Sequence, residues 1–214
     1  MRKKLICFDL DGTLIHANKA HASAYFKAFK LNNLKPVSRK KLIYQFGIVE
    51  SSFLPRLYPN LTQKEINKIK EDKRRFFYKE DKKYLKPIPK IKNALKKLRK
   101  EYEIAVTSNC SHKTILIALK QTGLRKYVYQ IIGNDDVKYP KPCPDEIFKA
   151  EHLLHLHAEY IVGDTIYDII AGKKSKTKTI AVLTGNHSKN KLKKYKPDLI
   201  VRSAVDLPGI LLKK

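Results

Sequence analysis

Long apolar runs are missing from this chain, and cysteine and acidic residues are scarce. No stretch approaches the roughly 20 apolar residues of a membrane-spanning helix, so no bilayer crossing is expected. The N-terminus starts basic, but its apolar run, Leu5–Phe8, is only four residues long and ends in charge, which argues against a signal peptide. Three cysteines (Cys7, Cys110, Cys143) are an odd number without Cys-x-x-Cys spacing. That excludes a disulfide framework or a zinc site of ordinary pattern. A reducing cytoplasm is the expected setting. Internal repeats are absent, as is low-complexity sequence beyond a lysine bias.

The acid shortage is the other side of a basic surplus: 46 Lys+Arg against 20 Asp+Glu, a formal charge of +26. A surplus this large fits a polyanionic partner, nucleic acid or an anionic membrane surface. Its distribution fits less well. Residues 61–100 hold 16 basic and 5 acidic side chains, a net of +11, yet lysine clusters recur along the whole chain and aromatics are not interleaved as a stacking platform would need. The charge reads as lysine-rich solvated faces, with no specific nucleic acid and no membrane as partner.

What is present is a folded interior. The 214 residues are 43% hydrophobic, enough for one core domain with a small insertion. Apolar runs at 102–106, 129–133, 160–163, 179–183 and 199–201 predict buried parallel strands. Ile91, Ala94, Leu95 and Leu98 repeat at helical spacing, as do Ile115, Ala118 and Leu119, with Gly123 as a stop. Alternating strands and helices predict an α/β fold: a Rossmann-like parallel sheet covered by helices on both faces. From about Asn18 to Lys83 the rhythm breaks. Three helical stretches (18–31, 38–46 and 62–80) follow one another, the last opening with a Thr62–Glu65 capping box. This predicts a helical cap domain, residues 16–85, inserted into a core of residues 1–15 and 86–214, with Lys86–Lys90 as the hinge back.

In an open parallel sheet, ligands sit beyond the carboxyl ends of the strands. The first strand ends in Asp9 and Asp11 with Gly12 at the turn, and the second in Thr107, Ser108 and Asn109. The loop after the third carries Lys141 between two prolines, and the fourth ends in Gly163 and Asp164, with Asp168 a helical turn further on. Clustered carboxylates need compensation. Oxygen ligands from Asp9, Asp164 and Asp168 suit a hard cation, Mg²⁺, that also clamps a phosphate. Lys141 and Ser108 would hold the remaining phosphoryl oxygens. Asp9 is then free to act as a nucleophile, and Asp11 as an acid and base whose carboxyl stays protonated long enough to donate.

These segments, "DLDGTL" (9–14), "TSN" (107–109), "KPCPD" (141–145) and "GDTIYD" (163–168), resemble the four motifs of the haloacid dehalogenase-like superfamily. Their order and spacing also match, and the resemblance spans nearly the whole chain. The phosphoglycolate phosphatase-like branch, with its small helical cap, is the most similar. The resemblance implies catalytic roles for Asp9, Asp11 and Lys141, and phosphate binding by Ser108, Asn109 and Lys141. It also implies a Mg²⁺ site drawing on Asp9, the backbone carbonyl of Asp11, Asp164 and Asp168. The expected activity is hydrolysis of a small phosphorylated metabolite, phosphoglycolate-like or a sugar phosphate, through an aspartyl phosphate, by a monomer or homodimer.

Several positions depart from the family pattern. His16 stands where relatives often have Asp, and reads as a solvated side chain; so does His21. Lys176 replaces the usual Gly after the fourth motif, predicting a different helix end. Glu50 occupies the stretch where the sugar-phosphate mutases carry Arg, which makes mutase activity the lesser alternative. Asp11 argues against dehalogenation. Cys110 and Cys143 border the catalytic loops and read as small apolar filler. The rival from another class is a basic nucleic-acid-binding module on a degenerate enzyme fold, against which the intact carboxylate set argues.

Overall fold

The computed structural model describes residues 3–79 and 82–212, apart from the side chain of Lys82. The outermost residues of the expected core (Met1, Arg2, Lys213, Lys214), and Glu80 and Asp81 of the expected cap, lie outside the described residues. Strand β1 (Lys4–Phe8) is followed by a short strand β2 (Ile15–His16) and four helices: α1 (Asn18–Leu31), α2 (Arg39–Ile43), α3 (Glu50–Leu57) and α4 (Gln63–Lys79). Strand β3 (Lys86–Pro87) then leads to α5 (Ile91–Leu98), β4 (Tyr102–Ser108), α6 (His112–Gln121), β5 (Gln130–Gly133) and α7 (Asp145–Leu154). The chain ends with β6 (Ala158–Gly163), α8 (Ile166–Lys174), β7 (Lys178–Val182), α9 (Lys189–Lys194), β8 (Leu199–Val201) and α10 (Leu207–Leu211).

Six strands form one sheet in the order β5-β4-β1-β6-β7-β8, every pair parallel. The period-2 alternation of side chains explains why the strands read as unbroken apolar runs. Ile6 and Phe8 of β1 join Ile104 and Val106 of β4 in a cluster with α5, α6 and α10. Leu5, Cys7 and Ala105 point the other way, onto α7 and α8. Neither face is left to water, so apolar residues are required at every position. Topology and composition agree with the expected α/β sheet.

Helices α1–α4 hold an apolar cluster of their own, built from Ala22, Tyr25, Phe29, Leu42, Phe53, Ile66 and Ile69 among others. The inner ends of this block are knitted to the core, because Ala20, Ala24 and Phe77 join the main cluster instead. The expected capping box forms: Glu65 accepts from the Thr62 backbone N–H at 2.8 Å, and the Glu65 N–H bonds back to the Thr62 hydroxyl at 3.3 Å. Where a plain hinge was expected, Lys86–Pro87 pairs antiparallel with Ile15–His16, so the two chain crossings between block and core run as a two-stranded ribbon. The helix after Asp168 also corrects an expectation. Lys176 takes φ +60°, the left-handed conformation that glycine adopts at helix ends, so the helix end is retained despite the missing glycine. Among the described residues no helix is long and apolar enough to cross a membrane.

Candidate active site

Four strand ends deliver the charged groups to one edge of the sheet. Asp9 follows β1 directly, its backbone N–H still bonded to Val162 of β6 at 2.8 Å. Gly12, with φ +82°, turns the chain back on itself; a Cβ there would lie 2.7 Å from Asp164 Oδ2. From the other side, a Cβ at Gly185 would lie 1.8 Å from the same atom. Asp164 thus sits in a notch between two backbones that only glycine leaves open. It accepts from the Asn186 N–H at 2.7 Å and is fully buried.

Lys141 is the centre of the arrangement. Its ammonium donates all three hydrogens: to Asp9 Oδ1 at 2.8 Å, Asp168 Oδ1 at 2.6 Å and the Thr107 carbonyl at 2.9 Å. The side chain is 3% exposed. Burial alone would lower its pKa, but the carboxylates of Asp168 and Asp9 outweigh that and hold it well above the ordinary value. Asp168 is fully committed within the chain, its second oxygen accepting from the Thr165 hydroxyl at 2.6 Å and the Thr165 N–H at 3.1 Å. It anchors Lys141 and caps α8. Ser108 is buried at the end of β4 and accepts from the Cys110 N–H at 3.2 Å. Asn109 donates both amide hydrogens to carbonyls, Gly47 at 2.8 Å and Lys141 at 2.9 Å. It clamps the α2–α3 loop to the Lys141 loop, and its donors are not free for a phosphate.

The two aspartates of the first motif differ sharply in surroundings. Burial pushes the Asp9 carboxyl well up, and Asp168 and Asp164 add to this despite Lys141. Asp164 is raised to about 7, first by burial and then by the charge of Asp168. Burial would raise Asp11 too, but His21, whose Nε2 is 3.0 Å from Asp11 Oδ2, and the Cys110 thiol at 3.3 Å reverse the sign and hold it below the usual carboxylate range. The expected difference in microenvironment is there: the surroundings shift the two carboxyls in opposite directions, Asp9 up and Asp11 down. His21 is likewise not the solvated residue expected. It is 5% exposed, faces the cleft and stacks on Phe77 with ring centroids 4.5 Å apart. His16 is exposed, as expected.

Across the cleft lies a second charged group that the sequence reading missed. Glu50 Oε1 accepts from the Tyr25 hydroxyl at 2.8 Å and from Lys73 Nζ at 2.9 Å, and Arg74 approaches the other oxygen at 4.0 Å. Lys73 is 4% exposed and lies over the rings of Tyr25 and Phe77. A signal was available: Ile66, Ile69, Lys73 and Phe77 fall on one face of α4, which puts a lysine on an apolar stripe. Core edge and helical block together border a cleft, open on one side, whose cavity of about 60 Å³ is lined by Asp9, Asp11, His21, Glu50, Lys73 and Lys141 among others.

The family model for haloacid dehalogenase-like hydrolases matches residues 6–182, which include all four motifs. The chain belongs to this family. It is therefore a hydrolase. Full-length relatives include the pyrophosphatase PpaX of Listeria monocytogenes serotype 4a, 31% identical over 216 residues (96% of this chain, 95% of the relative). The PpaX of Bacillus mycoides is 27% identical over 217 residues, covering 99% and 98%. Solved structures share the fold. A hydrolase from Pseudomonas syringae superposes with TM-score 0.85 at 22% identity, covering 98% of both chains. A predicted phosphoglycolate phosphatase from Haemophilus somnus gives the same TM-score at 24% identity, again covering 98% of both. Phosphatases of this family generally work with a divalent metal.

Proposed function

We propose that this hydrolase is a Mg²⁺-dependent phosphatase acting on small phosphate esters, with Asp9 as nucleophile. The observation that carries the reading is the placement of Asp9, Lys141 and Asp164 on one buried edge, with Asp11 beside them in a different electrostatic setting. Asp9 and Asp164 fit a hard cation: their donors are all oxygen, the glycine-walled notch around Asp164 leaves room only for small groups, and two buried carboxylates with raised pKa lack sufficient countercharge. The Asp11 backbone carbonyl is the third candidate ligand, and Asp168 supports the set through Lys141 rather than by direct contact. The bound ion would supply the missing positive charge and a clamp on one phosphoryl oxygen.

The chain's own residues account for the rest. Asp9 attacks phosphorus, forming the acyl phosphate as the ester P–O bond breaks. Lys141 has three donors and exchanges its bond to Asp9 for one to a phosphoryl oxygen, while Asp168 and Thr107 keep it in place. Ser108 presents a hydroxyl at the same strand end. The leaving oxygen takes its proton from the Asp11–His21 pair, which holds one between Oδ2 and Nε2 when the imidazole is charged. Asp11 then accepts a proton from the water that attacks the acyl phosphate, releasing inorganic phosphate and Asp9.

Residues 16–85 serve as the cap in this reading and residues 1–15 and 86–214 as the core, the β2–β3 ribbon joining them. Two features support this: the separate apolar cluster of the helical block and the narrow cleft between block and core, which suits a metabolite and not a duplex. Phosphoglycolate-like and sugar phosphates are the expected substrates. The PpaX relatives bring in inorganic pyrophosphate as a second candidate, and the cationic Lys73 and Arg74 on the cap side favour a substrate with a second anionic end. A panel of phosphoglycolate, sugar phosphates, nucleotides and pyrophosphate, assayed with Mg²⁺ and with excess chelator, tests the proposal. Turnover of at least one small substrate, silenced by chelator and restored by Mg²⁺, is expected. Full activity in chelator would remove the metal. No turnover across the panel, together with tight nucleic-acid binding at physiological salt, would favour the binding module instead.

A further inference from the structure

One oxygen, one nitrogen and one sulfur atom meet beside the carboxylate edge. Asp11 Oδ2, His21 Nε2 and Cys110 Sγ lie within 4.8 Å of one another. The Asp11 oxygen is 3.0 Å from the imidazole nitrogen and 3.3 Å from the sulfur. The other Asp11 oxygen, Oδ1, is buried and has no partner. Three separate elements supply the groups: the turn after β1, helix α1 and the loop after β4. The imidazole is fixed between Phe77, stacked at 4.5 Å, and Phe46, edge-on at 5.8 Å.

Tetrahedral coordination at ordinary zinc–ligand bond lengths spaces its donors about 3.3–3.7 Å apart. Asp11 Oδ2 stands at 3.0 Å and 3.3 Å from the other two donors, close to that spacing, and all three lie within 4.8 Å, so an ion could replace the shared hydrogens after small side-chain adjustments. The donor set also selects the ion. Oxygen alone suits Mg²⁺, whereas imidazole and thiolate favour Zn²⁺ and similar thiophilic ions. Lys73 is the nearby cation that would oppose entry, and its charge is offset by Glu50 at 2.9 Å.

We propose that the side chains of Asp11, His21 and Cys110 form a binding site for a thiophilic divalent ion, next to the all-oxygen site at Asp9 and Asp164 to which Asp11 lends only its backbone carbonyl, and that filling it switches the enzyme off. Inhibition follows because both members of the Asp11–His21 proton pair become ligands. Binding releases the thiol proton, and the imidazolium proton where one is present, to solvent; no electron is transferred. Burial and the Asp11 charge hold the Cys110 thiol well above its ordinary pKa, so without the ion it stays protonated and is a poor target for oxidants.

The inhibitory role rests on the phosphatase reading, whereas the site itself does not, and the two can be tested separately. Metal-free protein with Mg²⁺ in excess is titrated with Co²⁺. A thiolate-to-cobalt charge-transfer band should appear in the near ultraviolet and saturate near about one ion per chain. It should be missing from Cys110→Ala, whose fold is confirmed by circular dichroism and melting. No such band in the wild type, or the same band in Cys110→Ala, overturns the site. In a turnover assay with excess Mg²⁺, each protein being scored against its own zinc-free rate, Cys110→Ala should need at least about tenfold more Zn²⁺ for half-inhibition. Equal zinc sensitivity in the two proteins would put the inhibition at Asp9 and Asp164 and overturn the inhibitory role. If no substrate is turned over, the phosphatase reading fails while the cobalt titration still decides the site.

Discussion

On the core side of the cleft, Lys141 sits among Asp9, Asp168 and the Thr107 carbonyl, delivered by two strand ends and the first turn of α8. On the helical side, Lys73 sits between Glu50, Tyr25 and Phe77, all delivered by helix faces. Both ammonium groups are nearly inaccessible, and both face carboxylates at under 3 Å. The difference lies in what holds them. Backbone geometry fixes the first group: a glycine turn, a parallel register and a helix cap leave each carboxylate one place to go. Side-chain packing fixes the second, with aromatic rings as walls and, among the described residues, one glutamate as the acidic partner that Lys73 bonds. The first arrangement suits chemistry that cannot vary, and the second suits recognition that can.

The contrast breaks most visibly at Asp9. Asp9→Asn should lower kcat by about a thousandfold or more, since a carboxamide cannot form the acyl phosphate, while leaving the fold intact. Steady-state rates and circular dichroism check it, and retention of even a tenth of wild-type kcat would rule out the covalent route.

Lys73 should fail differently. Lys73→Met leaves the Glu50 carboxylate without its main partner and should cost about 3 kcal/mol of stability. Restoring neutrality with Glu50→Gln in the same chain should recover most of the loss, which a double-mutant cycle in denaturant would show. Any residual effect on turnover should appear in KM and in the choice among substrates more than in kcat. A uniform loss of kcat would make Lys73 part of the chemistry and erase the distinction between the two sides.

The pH dependence sharpens the picture of the core edge. Asp164 is raised to about 7 in the folded, metal-free chain, whereas an exposed aspartate titrates near 4. The folded state therefore holds a proton that the unfolded state has released. The stability from this group is complete below about pH 4 and is lost as pH rises through about 7. Without metal, Asp164→Asn should be more stable than wild type at neutral pH, with the advantage shrinking toward pH 4. Mg²⁺ should reverse the order at neutral pH by stabilising only the wild type. Melting curves at several pH values, with and without the ion, give the answer.

The smallest effect is expected at the end of α8. Lys176 holds a left-handed conformation that costs a side chain about 1–2 kcal/mol, part of which glycine loses again to backbone entropy. Lys176→Gly should therefore stabilise the protein by about 0.5–1 kcal/mol with no change in turnover, by thermal melting and kinetics. A destabilised variant would mean that the Lys176 side chain makes a contribution of its own.

The core edge was legible in the sequence because a parallel sheet buried on both faces writes its strands as apolar runs, and the polar residues that end them stand out. Asp9, Asp164 and Lys141 were found that way, and the fold brings them together. The helical side was harder to read. Lys73 is one of 46 basic residues, and only its place on the stripe of Ile66, Ile69 and Phe77 distinguishes it. Pro55 hides α3, and the left-handed helix end at Lys176 runs against the residue's own preference. The surroundings that hold the Asp11 carboxyl low could not be read because two of them, His21 and Cys110, are 10 and 99 positions away. Nothing in local sequence says that they meet.

One feature of the core edge governs how anything binds there. Every hydrogen on the Lys141 ammonium already has an acceptor, so an incoming anion finds no vacant donor at that atom. It must take the place of a carboxylate, and its affinity is the difference between two nearly matched ion pairs. Selection by exchange favours a ligand whose charge and geometry outdo an aspartate. A dianionic phosphoryl group can do so where a monoanion of similar size gains almost nothing.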